Sequence, residues 1–262
     1  MPDLRKRIAV IGGANMDIGG FSKEKLLDSD SNPGRVSMTI GGVGRNIAEN
    51  LVCLGLEVQL VTAIGGDANG RAILEDCARK GIGTQLCLLK EDMRSSVYLF
   101  ISDADGDMHC AINDMEIQAQ LTPEVMAARI DALNTMDAAV IDANLQPETI
   151  EYLAKNLTIP IFADAVSAAK VMRLGPALPY LYALKPNRIE AELLTGIPIS
   201  SDADAERAAR AIAGMGVKRV YLSMSVEGAL CLDAENCARV PGRRLDMVNA
   251  SGAGDAFTSA LV

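Results

Sequence analysis

"DAAVIDANLQPETIEYLAKNLTIPIFADA" (Asp137–Ala165) decides the fold. It opens on a short apolar run, "DAAVIDA", and closes on another, "IPIFADA". Between them "PETIEYLAKN" spaces its apolar residues as a helix does, behind a proline that a first helical turn tolerates. Runs that are nearly continuous in apolar residues suit parallel strands covered on both faces.

The same alternation extends along the chain. Strands are predicted at Arg7–Gly12, Val58–Gly65, Asp137–Ala143, Ile159–Ala165, Leu181–Asn187 and Arg219–Ser225. Helices are predicted over "VGRNIAENLVCLG", "GRAILEDCARKG", "TPEVMAARIDAL", "PETIEYLAKN" and "DADAERAARAIAGMG", with Gly55, Gly81 and Gly216 as stops. Repeated strand-then-helix order predicts an α/β fold, a doubly wound three-layer αβα sandwich. Two segments break the rhythm. "SSVYLFISDADGDMHCAIND" (Ser95–Asp114) reads as a hairpin around "DADG", and 15–40 is polar, turn-rich and then alternating. They predict a small β-sheet lid from 15–40 and 95–114, inserted into a core of 1–14, 41–94 and 115–262.

Composition bounds the partners. The chain has 262 residues, 49% hydrophobic and 23% charged, with a net charge of −9 and no dense basic cluster. A nucleic-acid polymer is therefore not expected, because phosphate backbones want a basic face. A small anion remains compatible, since a few backbone N–H groups suffice to hold it. No stretch reaches membrane-spanning length, and the N-terminal apolar run is too short for a signal peptide. The six cysteines form no CxxC pair and mostly sit in apolar runs, which predicts buried free thiols in a reducing cytoplasm. His109 is the only histidine and reads as a residue on a strand face.

Four stretches could carry chemistry. In "GGVGRNIAENLVCLG" (Gly41–Gly55) glycines lead straight into a helix. The dinucleotide fingerprint is broken at Ile47, and no P-loop motif occurs. Either Gly41, Gly42 and Gly44 let the helix pack closely, or they admit a ligand beside Asn46, which offers both a donor and an acceptor. In "NASGAGDAF" (Asn249–Phe257), Gly252, Ala253 and Gly254 can gather N–H groups at a helix N-terminus. Asp255 then either complements the helix dipole or accepts a hydroxyl proton during phosphoryl transfer. In "LKPNRIEAELLTG", Asn187 and Glu190 are a capping box, or hard oxygen ligands acting through water on Mg²⁺. "YLSMSVEGALCL" is strand, turn and strand, a plain hairpin or a shelf for a nucleotide at Ser223, Ser225 and Gly228.

In this order the four stretches resemble the ribokinase-like (PfkB) carbohydrate kinase family over essentially the whole chain. The resemblance implies a Rossmann-like core with a β-sheet lid and ATP-dependent phosphorylation of a sugar hydroxyl, with Mg²⁺ and in some members K⁺. "GGANMDIGG", "DSNPGRVSMTIGGVGRNIAENL", "AINDM", "DAVSAAK" and "LKPNRIEAELLTG" imply pseudouridine, phosphorylated at its 5′-hydroxyl, as the acceptor. Ribose, a purine nucleoside and a ketohexose derivative are the alternatives, and a non-catalytic ligand-binding protein of the same fold is another.

Carried over position by position, Asp17, Gly41, Gly42 and Asn46 would bind the ribose. Asn15, Asn113 and Asp114 would lie near the base or the lid side, and Lys170 would close the pocket. Asn187 and Glu190 would organise Mg²⁺–ATP, and Ser223, Ser225 and Gly228 would line the nucleotide site. Gly252, Ala253 and Gly254 would form the anion hole, with Asp255 as the base. Lid strands of the family can pair between subunits, which makes a homodimer an expectation. Ala250 and Ser225 depart from the family pattern, losing a hydroxyl and adding a Cβ respectively. The resemblance also implies further core helices, walling the adenine pocket, that do not occur before Val262.

Overall fold

The computed structural model describes residues 6–242 and 252–262. In chain order these form β1 (Arg7–Ile11), β2 (Asn15–Ser22), β3 (Gly34–Gly41), α1 (Val43–Cys53), β4 (Glu57–Val61), β5 (Ala63–Gly65) and α2 (Ala68–Arg79). There follow β6 (Leu88–Lys90), β7 (Val97–Ser102), β8 (Met108–Asp114), α3 (Pro123–Ala127), α4 (Ile130–Leu133), β9 (Ala138–Asp142), α5 (Pro147–Asn156) and β10 (Ile161–Asp164). The remainder is β11 (Ala183–Lys185), α6 (Arg188–Thr195), α7 (Asp202–Gly214), β12 (Arg219–Ser223), β13 (Ala229–Leu232), β14 (Cys237–Val240) and α8 (Ala253–Leu261).

The main sheet has the order β14-β13-β12-β11-β10-β9-β1-β4. From β4 to β12 it is parallel, and β13 and β14 close one edge antiparallel. Strand alternation explains its two cores. Ala9, Ile11, Ile141, Ala163 and Leu184 point to one side and meet α5, α7 and the 3₁₀ segment Val171–Tyr180. Ile8, Val10, Val140, Phe162 and Ala183 point to the other and meet α1 and α2. Both faces being covered, the strands read as unbroken apolar runs.

A second sheet, β3-β2-β7-β8, stands apart from the first. Its register places Thr39, Asp17, Tyr98 and Asn113 in one row across the strands, and Met38, Ile18, Leu99 and Ile112 in the next. Successive residues of a strand point to opposite faces, so the first row shares a face with Asn15 and the second forms the other face.

Three expectations are corrected. The single strand Val58–Gly65 divides at Thr62. β4 stays at the sheet edge, while β5 leaves it to pair with β6, and the Thr62 carbonyl accepts from the Leu88 N–H at 2.9 Å. The helix over "TPEVMAARIDAL" divides into α3 and α4, where Arg129 donates to the carbonyls of Leu86 and Val125 at 2.7 and 2.8 Å. The thiols are not mostly buried. Cys77 and Cys87 are, and burial pushes them up to about 11 and about 12. Cys53, Cys110 and Cys237 are exposed, at the end of α1, in β8 and in the edge strand β14. His109 lies exposed in β8, 3.7 Å from Asp28.

Candidate active site

The strands of the parallel sheet end on polar residues in register: Asp142 of β9, Asp164 of β10 and Lys185 of β11. An open α/β sheet binds ligands at this carboxyl edge. Lys185 Nζ lies 3.0 Å from Asp164 Oδ2, and both side chains are buried. Asp142 accepts from the N–H groups of Gly13 and Asn144 at 2.8 and 2.9 Å, and burial raises its pKa. These three residues were legible only as the acids and base that end apolar runs.

Asp255 lies in the first turn of α8, beside this row, and is 9% exposed. α8 packs along α1, and Ser259 Oγ donates to the Ile47 carbonyl at 3.3 Å. That packing brings Asn46 Nδ2 to 2.9 Å from Asp255 Oδ2. Burial pushes the Asp255 carboxyl up to about 6; the Asn46 donation opposes the rise, Asp164 adds to it and Lys185 opposes it. A carboxylate at about 6 is a better proton acceptor than an ordinary Asp and stays mostly ionised at neutral pH. Gly252 has φ 80° at the helix N-cap, and a Cβ on Gly254 would meet Lys185 Nζ at 3.1 Å. The left-handed turn at Gly252 and the lack of a side chain at Gly254 keep the start of α8 open beside Lys185.

A cleft of about 710 Å³ opens from Asp255 and Gly254 past Asp164 and Lys185 to Asn187, Glu190, Ser223 and Ser225. Asn187 and Glu190 form the reciprocal capping box of α6: Asn187 Oδ1 accepts from the Glu190 N–H at 2.9 Å, and Glu190 Oε2 accepts from the Asn187 N–H at 2.7 Å. Burial raises the Glu190 pKa. Capping and cleft lining thus coexist in one residue. Ser223 N–H donates to the Pro186 carbonyl at 2.9 Å, tying β12 to the head of α6. Ser225 takes φ 51°, a left-handed conformation in which a side chain is strained. It shares a smaller neighbouring pocket with Ser223, Gly228, Ala253 and Gly254.

Just before the N-terminus of α1 the glycines of the first motif admit Asp17. A Cβ on Gly41 would meet Asp17 Oδ2 at 2.1 Å, and Gly42 has φ 98° with Ala14 Cα 2.6 Å from its would-be Cβ. Asn15 donates to Asp17 Oδ1 at 2.5 Å, and burial raises the Asp17 pKa against that bond and against Arg45. Lys170 Nζ donates to Asn144 Oδ1 at 2.6 Å and touches Met115 Sδ at 3.7 Å; burial lowers its pKa. Asn113 shares the face of Asp17 two strands away, roughly 10 Å across the sheet. Asp114 is turned to the opposite face and accepts from the Glu116 N–H at 3.4 Å, so it is not gathered with the others. Asn249, Ala250 and Ser251 lie outside the described residues.

Mg²⁺ takes oxygen ligands and keeps several waters. The donor set fits: a buried carboxylate, Glu190, lines the cleft with one oxygen engaged by the Asn187 N–H. Among the described residues no three His, Cys, Asp or Glu side chains converge as a metal cage.

A three-layer αβα sandwich with a cleft at the carboxyl edge of its sheet and a buried carboxylate at a helix head is the architecture of the ribokinase-like class. The chain belongs to the pfkB family of carbohydrate kinases, whose model matches residues 5–262. It is an ATP-dependent sugar or nucleoside kinase. It is 37% identical over 257 residues to a pseudouridine kinase of Escherichia coli (strain K12), covering 97% of this chain and 82% of that one. It is 29% identical to a guanosine-inosine kinase of Exiguobacterium acetylicum, covering 98% and 86%. Among solved structures, a putative sugar kinase from Clostridium perfringens superposes with TM-score 0.85 at 30% identity, covering 100% of this chain and 82% of that one. Arabidopsis thaliana ribokinase complexed with ribose and ATP superposes with TM-score 0.88 at 20% identity, covering 98% and 85%, a likeness of fold.

Proposed function

We propose that this kinase transfers the γ-phosphoryl group of ATP to the 5′-hydroxyl of pseudouridine, giving pseudouridine 5′-phosphate and ADP. The 37% identity to a pseudouridine kinase along 97% of the chain carries the choice of acceptor. Asp255, buried at the head of α8 and held by Asn46, supports the assignment of the base.

In this reading the acceptor lies between α1 and the second sheet, which acts as the lid. Asp17 and Asn46 bind its ribose hydroxyls, Gly41 and Gly42 leave room for them, and Asn15, Asn113 and Lys170 bound the pocket. The nucleotide lies along the cleft from Gly254 to Ser225. A new bond forms from O5′ to Pγ while the Pγ–O bond to the β-phosphate breaks. The O5′ proton passes to Asp255 as bonding proceeds, and a loose transition state asks mainly for such positioning and late proton acceptance. The N–H groups of the Gly252–Gly254 turn hold phosphoryl oxygens, and Lys185 adds a positive charge beside them. Mg²⁺, held by Glu190 and Asn187 through water, would neutralise phosphate charge.

The outer row of the lid, with Met38 and Ile112 57% and 66% exposed, supports a homodimer that covers this face. We assign the activity to the cytoplasm, where ATP is available and free thiols stay reduced. Comparison of kcat/KM for pseudouridine, uridine, inosine, guanosine and ribose with Mg²⁺–ATP tests the acceptor. Pseudouridine should lead by at least tenfold; a purine nucleoside or ribose in first place overturns the assignment. The same assay in K⁺ and Na⁺ buffers tests monovalent-cation dependence.

A further inference from the structure

Arg45 is a charged residue that the sequence motif leaves without a role, yet it is 3% exposed and sits one position before Asn46. Its guanidinium lies where β3, α1 and α2 converge. Nη2 pairs with Asp76 Oδ2 of α2. Nη1 lies 2.7 Å from Glu49 Oε2, 3.3 Å from the Ile40 carbonyl and 3.1 Å from Asn46 Oδ1. The two carboxylates are themselves fixed. Asp76 also takes Arg79 at 2.6 Å and Lys80 at 3.1 Å, and Glu49 takes Lys80 at 2.7 Å. A guanidinium anchored on two sides has a set orientation.

That orientation decides how the neighbouring amide lies. An Asn side chain has a donor end and an acceptor end, and arginine can only donate. Facing Arg45, the amide must present Oδ1, which leaves Nδ2 for Asp255. The reverse orientation would set N–H against N–H at Arg45 and a carbonyl oxygen against a carboxylate at Asp255. Arg45 Nε is buried with no partner among the described residues, a desolvation cost that an apolar side chain would avoid. A buried, incompletely satisfied arginine is a poor stability device. Its use is better sought in what its other nitrogens hold.

We propose that Arg45 is a positioning residue for phosphoryl transfer: anchored by Asp76 and Glu49, it locks the Asn46 amide with Nδ2 toward Asp255. The proposal rests on Asp255 being the base. The chain of contacts runs from α2 through α1 to α8, so three helices hold one carboxylate in place. The Arg45 contact with the Ile40 carbonyl, one residue before the Gly41–Gly42 turn, joins the same lock to β3, an edge strand of the second sheet.

A double-mutant cycle tests this. Arg45→Leu should lower kcat about tenfold to a hundredfold, with KM for ATP changed less than about twofold, the pattern of a group acting on the chemical step. In an Asn46→Ala background there is no amide left to orient, and Arg45→Leu should cost less than about threefold. Equal costs in both backgrounds would overturn the proposal, because Arg45 would then act on general stability or another contact. Arg45→Lys, which keeps the charge beside Asp76 but lacks the second arm, should show the same non-additivity and serves if the leucine variant does not fold.

A second readout needs no turnover. Carbon-13 titration of the Asp255 carboxyl in the unliganded protein should move upward with Arg45→Leu and stay still when the same change is made in Asn46→Ala. The other charged groups facing Asp255, namely Asp142 of β9, Asp164 of β10 and Lys185 of β11, are untouched in every variant. An unmoved titration in the wild-type background overturns the lock directly. Asp255→Asn in the same kinetic series separates the two claims: a mild effect there removes the base assignment, whereas additivity removes only the role of Arg45.

Discussion

Asn46 and Asp255 stand 209 residues apart in the sequence, and their side chains meet, Nδ2 to Oδ2, at 2.9 Å. One heads α1 and the other heads α8, so the packing of two helices on the same face of the sheet sets the position of this carboxylate. If that carboxylate takes the hydroxyl proton, Asp255→Asn should cut kcat by several orders of magnitude and leave ATP affinity nearly unchanged. Steady-state kinetics with an independent nucleotide-binding measurement checks both halves. A loss of tenfold or less would reduce Asp255 to a partner of the helix dipole.

The same substitution has a stability signature. The folded-state pKa of Asp255, about 6, lies above the ordinary carboxylate value of 3.8. Its contribution to stability is therefore fully present below about 4 and lost as pH rises through 6. Above pH 6 the ionised form costs the fold on the order of 1–3 kcal/mol, which Asn does not. Asp255→Asn should raise the unfolding free energy at pH 7.5 by that amount, and the gain should fade toward pH 4. Denaturant unfolding at both pH values measures it; a gain that is flat with pH would contradict the raised pKa.

Much of this was legible in the sequence because both faces of the sheet are covered. "RIAVIG" and "DAAVIDA" are apolar at every core position, and the strands form where those runs fall. The site was legible where one motif holds its own residues, as the Asn187–Glu190 capping box does. It was not legible where distant strands supply single residues. Asp142, Asp164 and Lys185 form a row only through the register of three strands, and no local spacing encodes it. Asp114 was misleading for a simpler reason: it follows Asn113 in the sequence, but a strand turns consecutive residues to opposite faces.

Ser225 is strained where it stands, at φ 51° between β12 and β13. Ser225→Gly should relieve that conformation and raise stability by about 1 kcal/mol. It also removes a Cβ from the wall of the cleft proposed for the nucleotide, so KM for ATP should fall or stay level. Thermal unfolding and ATP titration test the pair of effects. A lower melting temperature would mean that the serine side chain stabilises the turn more than its backbone strains it.

At the head of α8 the steric margin is small. A Cβ on Gly254 would approach Lys185 Nζ to 3.1 Å, and that ammonium is held by Asp164. Gly254→Val has two further methyl groups and must push Lys185 from its pair or fill the space proposed for the phosphate. We expect kcat/KM for ATP to fall at least a hundredfold with the fold intact by circular dichroism. Turnover near the wild-type level would show that phosphoryl oxygens do not pass this glycine.

The outer face of the second sheet sets the last prediction. Met38, Ile18, Leu99 and Ile112 form one row across four strands, and Val36 and Ile101 extend it on either side of Gly20. Val36 is 72% exposed, and Leu99 and Ile101 keep more than a third of their surface in water. A contiguous apolar face of this kind is unfavourable in isolation and marks an interaction surface. If a second copy covers it, Ile112→Glu places a charge within the contact and should convert a dimer to a monomer by light scattering at micromolar concentration. Asp17 lies on the opposite face of the same sheet. Loss of the dimer should therefore loosen the sheet and raise KM for the nucleoside, leaving KM for ATP unchanged. A wild-type protein that is monomeric at those concentrations would overturn the dimer outright. A variant that loses the dimer but keeps its nucleoside KM would separate assembly from substrate binding.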